Sequence, residues 1–220
     1  MIGIICAMDE EAAPFEPSFS ESRREERFGR VLRIGSMNGI DVVLVTSGIG
    51  TTNAAIATTL LIERYGVERV VMSGVAGSIG ALTIGEVLIA RSCVYHDVDA
   101  TAFGYASGQV PGEPERYESS DAQTIAEHLA LPTGIIASGN AFINDPHHVA
   151  RIRETFGADA LDMESCAVAH VCTHAGIPWT IVRAMSDRAD EDAKGSFEER
   201  LTMAAHNAAE VVMRVLDHLA

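Results

Sequence analysis

Short runs rich in valine and isoleucine recur along the whole of this 220-residue chain. Most of them are continuously apolar rather than alternating, which is typical of strands that are covered on both faces. Strands are therefore predicted at residues 2–6, 31–34, 42–46, 70–72, 87–90, 134–137, 160–162 and 177–183. Strands of this kind are best buried in a sheet that lies between two layers of helices.

Stretches with helical spacing lie between these runs. Three of them are predicted to end at a glycine, which readily adopts the left-handed conformation of a helix C-terminus: residues 51–65, 145–156 and 163–175. A Ser-Phe-Glu-Glu capping box at residues 196–199 predicts the start of a last amphipathic helix. Asn38-Gly39, between two apolar runs, predicts a hairpin. Residues 1–220 are thus predicted to form one α/β domain of three layers, α/β/α, around a mixed, mainly parallel sheet.

The balance of charge excludes several classes of function. Aspartate and glutamate number 31 against 16 lysines and arginines, which gives a formal net charge of −15, and Lys194 is the only lysine. Such a surface repels phosphodiester backbones and anionic lipids, and the sequence contains no concentrated basic patch. Neither nucleic acid nor a membrane surface is therefore an expected partner.

The N-terminus and the cysteines indicate the compartment. The apolar residues 1–8 run directly into Asp9-Glu10-Glu11, a flank too acidic for a signal peptide, and no apolar stretch is long enough to span a bilayer. The four cysteines are scattered through apolar segments of a chain large enough to form its own core, so they are expected to be reduced and buried. The sequence predicts a soluble, cytoplasmic protein.

Carboxylates and glycines follow several of the predicted strands. Ligands of open α/β sheets collect beyond the carboxyl ends of the strands, and Glu11, Glu164 and Asp187 each come just after an apolar run. One such carboxylate is more often a helix cap or a solvated charge, but three at one edge of a sheet indicate a site. Gly48 and Gly50 lack the rest of a dinucleotide fingerprint, so they are more typical of a tight turn from strand to helix than of a ligand site.

One predicted helix carries a pattern that resembles a metal site. Cys166, His170 and His174 lie four residues apart and share one helical face. The stretch lacks the glutamate of the zinc-protease helix, and a histidine pair within one helix rarely completes a zinc shell. The sequence therefore predicts no metal and no other cofactor.

The assembled segments closely resemble the 5′-methylthioadenosine/S-adenosylhomocysteine nucleosidases of the nucleoside phosphorylase superfamily. The resemblance runs nearly end to end and rests on residues 2–11 (IGIICAMDEE), 47–50 (SGIG), 73–77 (SGVAG), 95–105 (YHDVDATAFGY), 108–112 (GQVPG), 138–143 (SGNAFI), 162–164 (DME) and 182–187 (VRAMSD). It implies a nucleoside phosphorylase-like fold and irreversible hydrolysis of the N-glycosidic bond of a 5′-substituted adenosine, which releases adenine and the 5′-substituted ribose.

The resemblance also implies roles for individual residues. Asp187 matches the general acid at adenine N7, and Ser186 would hold it. Glu11 matches the carboxylate that positions the attacking water. Glu164 would bond the sugar hydroxyls, and Arg183 would order the acidic site.

The other matched positions would line the substrate pocket. Six of them would contact base, ribose or 5′-substituent within one chain: Met8, Ile49, Phe142, Ile143, Met163 and Phe197. Phe103 and Pro111 would complete the pocket of the second subunit in a homodimer. Val75 stands near the reacting sugar, where many relatives carry serine, so 5′-deoxyadenosine and 6-amino-6-deoxyfutalosine stay open as further substrates.

Two other functions stay open on the sequence alone. A purine nucleoside phosphorylase would need cationic groups around its phosphate, whereas Glu11 and the neutral segments 48–52 and 74–78 suit water better. A nucleoside-binding protein could keep the fold without turnover. Against that alternative, the chain keeps the carboxylates Glu11, Glu164 and Asp187.

Overall fold

The computed structural model describes residues 1–189 and 193–220, apart from the side chains of residues 193–196, 198 and 199. The strands of the described residues are β1 (Ile2–Cys6), β2 (Ser20–Arg27), β3 (Arg30–Met37), β4 (Ile40–Thr46), β5 (Arg69–Ser78), β6 (Val87–Tyr95), β7 (Tyr117–Glu118), β8 (Thr133–Ser138), β9 (Ala160–Asp162) and β10 (Trp179–Asp187). The α-helices are α1 (Asp9–Ala12), α2 (Thr51–Tyr65), α3 (Ala122–Leu129), α4 (Pro146–Phe156), α5 (Ser165–Ala175) and α6 (Ala193–Leu219).

The strands form one mixed sheet that partly closes on itself. Its order is β10-β6-β8-β9-β5-β1-β4-β3-β2, and β10 also pairs with β5, so that β5, β9, β8, β6 and β10 make a ring. Five of the pairings between described strands are parallel and five are antiparallel. The predicted mixed sheet is confirmed, with more antiparallel pairing than the single predicted hairpin provides.

Helices cover the sheet on both faces, as predicted. Successive residues of a strand point to opposite faces, so Ile4 packs in one core cluster and Ile5 in another. The first cluster contains residues of α3 and α6, including Val212, and the second contains residues of α2 and α5, including Leu61 and Val168. None of the helices in the described residues is both long enough and apolar enough to cross a membrane.

The parallel strands β1, β5 and β10 end at the same edge, and this edge positions the site. β5 pairs in parallel with both β1 and β10. β9 runs antiparallel to β5, with Leu161 opposite Gly77. Because β9 runs opposite to β5, the chain leaves β9 beside the carboxyl-terminal half of β5 and not beyond the end of β5.

All eight predicted strands are present, and the predicted hairpin joins β3 to β4 with Asn38 at φ 49° and Gly39 at φ 80°. The sequence prediction missed β2, because this edge strand is highly charged and mostly exposed and has no apolar pattern to detect. It also missed α3, which ends at Ala130 in the left-handed conformation rather than at a glycine. The four cysteines are free and buried, as expected.

The predicted start of the last helix was wrong. α6 begins at Ala193, so Ser196 lies inside the helix rather than at its N-cap. The side chains of the proposed capping box, Ser196 and Glu199, lie outside the described residues, as does the Lys194 side chain. The capping-box pattern therefore lies within the first turns of α6 and not at its start.

Candidate active site

Glu11 is a buried carboxylate held in one orientation by the backbone. The chain leaves β1 and turns into α1, which brings the Glu11 side chain back over the end of the strand. Its Oε2 accepts hydrogen bonds from the N–H groups of Ala7 (2.7 Å) and Met8 (3.1 Å), and its Oε1 accepts one from Val75 (2.9 Å). A carboxylate has about four lone-pair positions, so roughly one remains for a group in the adjoining cavity.

The electrostatic surroundings of Glu11 favour a basic carboxylate. Burial raises the pKa of Glu11, although the Arg183 guanidinium and the three N–H donors oppose the shift. A carboxylate that is desolvated but still hydrogen-bonded can accept a proton from a bound water more readily than a solvated one.

Arg183 lies fully buried in β10, between the carboxylates of the site. Its Nη2 lies 2.7 Å from Asp162 Oδ2 and 3.5 Å from Glu164 Oε2. On its other side, a side chain at Gly74 would overlap both Arg183 Nη1 and Glu11 Oε1, so this point of β5 requires glycine. Burial lowers the pKa of Arg183, but the three surrounding carboxylates outweigh it and raise the pKa above its usual value.

Asp162, at the end of β9, holds Arg183 in place. It accepts a 2.9 Å hydrogen bond from Arg183 Nε and a 2.5 Å hydrogen bond from Ser138 Oγ. It also accepts hydrogen bonds from the N–H and the hydroxyl of Ser165. A buried arginine is stable only when a well-bonded carboxylate compensates its charge, and Asp162 supplies that compensation.

Glu164 joins the acidic cluster to the glycine-rich turn before α2. Its Oε1 accepts a 2.8 Å hydrogen bond from the N–H of Gly50, whose φ of 105° is readily adopted only by glycine. Gly50 therefore serves the tight turn and the site together. Burial and the neighbouring Asp162 carboxylate raise the pKa of Glu164 to about 7, while Arg183 and the Gly50 N–H oppose the shift.

Asp187 is the last residue of β10. Its Oδ1 accepts a hydrogen bond from the N–H of Ala189 (2.8 Å), and its Oδ2 accepts one from Ser186 Oγ (2.8 Å). A Cβ at Gly77 would stand only 2.9 Å from Asp187 Oδ1, so glycine lets the carboxyl group lie directly against β5.

A cavity of about 440 Å³ connects these groups. Its walls are mainly apolar, and its lining residues are Ala7, Met8, Glu11, Ile49, Val75, Ala76, Gly77, Phe142, Leu161, Asp162, Met163, Glu164, Ser186, Asp187 and Phe197. A smaller recess beside it brings Ile143 next to Phe142 and Asp187. At the mouth, the rings of Phe142 and Phe197 meet edge to face with centroids 6.3 Å apart.

Comparison with known proteins assigns the family. A family model described as the phosphorylase superfamily matches residues 1–217. The 5′-methylthioadenosine/S-adenosylhomocysteine nucleosidase of Geobacillus sp. (strain WCH70) is 40% identical over 228 residues, covering 99% of this chain and 98% of the relative. The chain belongs to this nucleosidase family.

Solved nucleosidase structures have the same fold. A Helicobacter pylori 5′-methylthioadenosine/S-adenosylhomocysteine nucleosidase with butyl-thio-DADMe-Immucillin-A is 34% identical, with a TM-score of 0.94 and coverage of 99% of this chain and 97% of that one. A futalosine hydrolase of H. pylori is 33% identical, with the same TM-score and the same coverage. The family and the nucleoside phosphorylase-like fold predicted from the sequence are confirmed.

The structure brings most of the predicted site residues of this nucleosidase together. Eleven of them line the cavity or its recess: Met8, Glu11, Ile49, Val75, Phe142, Ile143, Met163, Glu164, Ser186, Asp187 and Phe197. Arg183 lies behind Glu11 and Glu164 rather than on the cavity surface. Phe103 and Pro111 are exposed elsewhere and do not line the described cavity of their own chain.

The sequence prediction did not single out Asp162 as a site residue. The available signal was its place beside Glu164 at the end of an apolar run. Its function depends on the approach of Ser138 and Arg183 from two other parts of the chain, and no local pattern in the sequence shows that approach.

The raised pKa of Glu164 predicts a pH dependence of stability. The folded state holds the Glu164 proton more tightly than the unfolded chain, whose reference pKa is 4.5. The stability that this shift adds to the folded state is complete below pH 4.5 and is lost as the pH rises through about 7. Glu164→Gln removes this titration. Between pH 5 and pH 8, the free energy of unfolding of the wild type should therefore fall by roughly 2 kcal/mol relative to that of the variant.

Urea denaturation at a series of pH values measures this difference. Glu154→Gln, which removes an exposed carboxylate of α4, is the matched control. A difference between wild type and Glu164→Gln that does not change with pH would show that Glu164 has an ordinary pKa.

Proposed function

We propose that this chain hydrolyses the N-glycosidic bond of 5′-methylthioadenosine and S-adenosylhomocysteine, releasing adenine and the 5′-substituted ribose. The observation that supports this most strongly is the meeting of Glu11, Glu164 and Asp187 in one largely apolar cavity of about 440 Å³. That volume lies within the usual range of small-ligand sites, and the apolar walls suit a purine and a thioether.

Asp187 is the proposed general acid. Adenine is a poor leaving group as an anion, so its N7 must gain a proton as the bond to ribose breaks. Ser186 and the N–H of Ala189 fix the Asp187 carboxyl group, and the adjoining recess lined by Phe142 and Ile143 has room for the edge of the base. Phe142 would stack on the purine, and the backbone of Ile143 would bind its edge.

Glu11 is the proposed partner of the attacking water. Its Oε1 is bonded to the N–H of Val75, whereas Asp187 lies against Gly77, two residues further along β5. At about 3.3 Å per strand residue, these two anchor points are roughly 7 Å apart. The two carboxyl groups are therefore held at different positions along β5, so each can act on a different part of the bound nucleoside.

Glu164 and Arg183 support the charge that develops on the ribose. Cleavage gives the sugar oxocarbenium character, which an adjacent carboxylate and hydrogen-bonded hydroxyls stabilise. Glu164 lines the cavity with Met163, where it can accept hydrogen bonds from ribose hydroxyls. Arg183 fixes the positions of Glu164 and, through Asp162, of the turn before α5.

Adenine release with and without phosphate tests the proposal. No lysine or arginine side chain lines the cavity in the described residues, so phosphate has no cationic partner there. We expect equal rates in phosphate-free and phosphate-containing buffer. Strict dependence on phosphate would establish a phosphorylase, and binding of methylthioadenosine without adenine release would establish an inactive binding protein.

The substrate range depends on the 5′ side of the cavity. Val75 lines the cavity where many relatives carry serine, which removes one polar contact near the proposed position of the sugar. A panel of methylthioadenosine, S-adenosylhomocysteine, 5′-deoxyadenosine and 6-amino-6-deoxyfutalosine, ranked by kcat/KM, determines which 5′-substituents this chain accepts.

We further propose that the active form is a homodimer. Phe103 is 84% exposed and Pro111 is exposed too, yet both match positions that complete a neighbour's pocket in the nucleosidase family. An aromatic side chain this exposed is accounted for if it packs against a second copy of the chain, and a two-fold axis would make the contribution reciprocal.

Phe103→Ala should therefore raise the KM for methylthioadenosine about tenfold, because the 5′-substituent loses an apolar wall. The variant should keep the melting temperature of the isolated chain, since Phe103 contributes little to its core. Phe28→Ala, at a residue that is 79% exposed and lies on the β2–β3 turn, is the control and should leave KM unchanged. Full activity from a strictly monomeric species would contradict the shared pocket.

A further inference from the structure

A second cluster of chemically reactive side chains lies away from the proposed active site. Glu113 comes from the loop between β6 and β7, and His170 and His174 come from α5. Each offers one ligand atom, and the three atoms all lie within 4.8 Å of one another. None of the three residues lines the 440 Å³ cavity, so the cluster has no part in the proposed hydrolysis.

The spacing of the ligand atoms suits a small metal ion. Glu113 Oε2 lies 2.9 Å from His174 Nε2 and 3.6 Å from His170 Nε2. In a tetrahedral shell with metal–ligand bonds of about 2.0–2.1 Å, neighbouring ligand atoms are about 3.3 Å apart. These two separations lie on either side of that value, and the two histidine ligand atoms lie within 4.8 Å of each other, so the cluster has to contract to enclose one ion.

His170 is already oriented as a ligand. Tyr95 Oη lies 3.2 Å from His170 Nδ1, and the Tyr117 ring stacks on the imidazole with centroids 4.6 Å apart. In the tautomer that binds a metal through Nε2, Nδ1–H donates to Tyr95 Oη, which is the arrangement that outer-sphere partners give in known sites. Nε2 of His170 is therefore the nitrogen left to face Glu113.

The carboxylate is also held, although it lies in a loop. Gln109 accepts a hydrogen bond from the N–H of Ala106 (3.1 Å) and donates one to the carbonyl of Glu113 (2.7 Å). The Glu113 N–H also donates to the Val110 carbonyl (2.9 Å). These bonds hold the Glu113 backbone beside α5, where the His174 side chain is 61% exposed, so water can reach the cluster.

We propose that Glu113, His170 and His174 bind one divalent transition-metal ion of the zinc class, with water as the fourth ligand. Two imidazoles and one carboxylate are a donor set that suits Zn²⁺ and Co²⁺ and suits Ca²⁺ or Mg²⁺ poorly. The bound ion would pin the loop of Glu113 to α5. That loop also carries Pro111, so the metal would steady a segment proposed to complete the neighbour's pocket.

This proposal revises the prediction that the chain has no metal site. The sequence pattern combined the two histidines with Cys166, but Cys166 is fully buried in the core cluster beneath α5. The third ligand is instead Glu113, which lies 57 residues before His170 in the sequence. Only the fold brings this carboxylate next to the histidine pair.

Titration of the intact, metal-free protein with Zn²⁺ by calorimetry, and with Co²⁺ by visible absorption, tests the proposal without reference to catalysis. We expect a saturable site of one ion per chain and the intense absorption of tetrahedral Co²⁺. Tyr95→Phe should weaken binding about tenfold, and Glu113→Gln and His174→Ala should weaken it more. The control is His128→Ala, because His128 pairs only with His218, at a ring separation of 4.2 Å, and belongs to no three-ligand cluster among the described residues.

Hydrogen exchange gives a second measurement. Zn²⁺ should slow the exchange of amide hydrogens in residues 109–114 of the wild type and should have no such effect in His174→Ala. Zn²⁺ affinity that is equal in wild type, Glu113→Gln and His174→Ala would overturn the proposal, as would loop exchange that is unaffected by the ion. Neither result depends on adenine release, so failure of this site and failure of the proposed hydrolysis are distinguishable.

Discussion

Replacing Asp187 with asparagine should lower kcat for adenine release by about a hundred- to ten-thousand-fold, because an amide cannot protonate adenine N7. The side chain keeps its size and can still accept a hydrogen bond from the N–H of Ala189. The hydroxyl of Ser186 can rotate to accept from the new NH₂ group. We therefore expect the fold and substrate binding to be retained while turnover is lost.

Steady-state kinetics together with the affinity for a non-hydrolysed adenosine analogue separates these effects. Asp41→Asn, at an exposed residue of β4, is the control and should keep wild-type kcat. Near wild-type turnover by Asp187→Asn would remove Asp187 from the mechanism.

Replacing Arg183 with methionine should destabilise the protein by about 3–5 kcal/mol, because it removes one partner of a buried ion pair. Asp162, which lies 2.7 Å from the guanidinium, would be left as a buried charge without its cation. Glu11 and Glu164 would lose a shared positive neighbour at the same time. Urea denaturation measures the change in the free energy of unfolding.

Two further variants isolate the cause. Arg183→Met with Asp162→Asn removes both charges and should recover part of the lost stability, because no unpaired charge then stays buried. Arg23→Met removes a largely exposed arginine from a partly buried Glu25 that keeps Arg27 as a second partner, so it should cost about 1 kcal/mol or less. A double variant no more stable than Arg183→Met would show that packing, and not charge, accounts for the loss.

Local patterns predicted the elements that have strong local causes. The continuous apolar runs predicted eight strands, and Asn38-Gly39 predicted the hairpin, because side-chain periodicity and positive φ are properties of a few neighbouring residues. β2 escaped prediction because an exposed edge strand needs no apolar face. Closure of β10 onto both β5 and β6 is a property of the sheet as a whole, and no single segment encodes it.

The same contrast holds for the candidate site, where some residues follow from local patterns and others do not. Glu11, Glu164 and Asp187 were predicted because each follows a strand and matches a family motif. Asp162 was missed, because its importance comes from the arginine that it compensates, 21 residues away along the chain. Gly74 and Gly77 were not predicted as site residues, because they contribute by lacking a side chain. The space left at these positions lets Arg183 and Asp187 approach β5.

The sequence by itself determined the mixed α/β architecture, the family and the three carboxylates of the site, because periodicity, turn chemistry and linear motifs are all local properties. Tertiary structure alone decided that the N–H of Val75 binds Glu11, which carboxylate holds Arg183 and which carboxylate meets His170 and His174. Each of those contacts joins segments that are distant along the chain. Their strength depends on distance and burial, and both are defined only when the sheet and its helices have packed together.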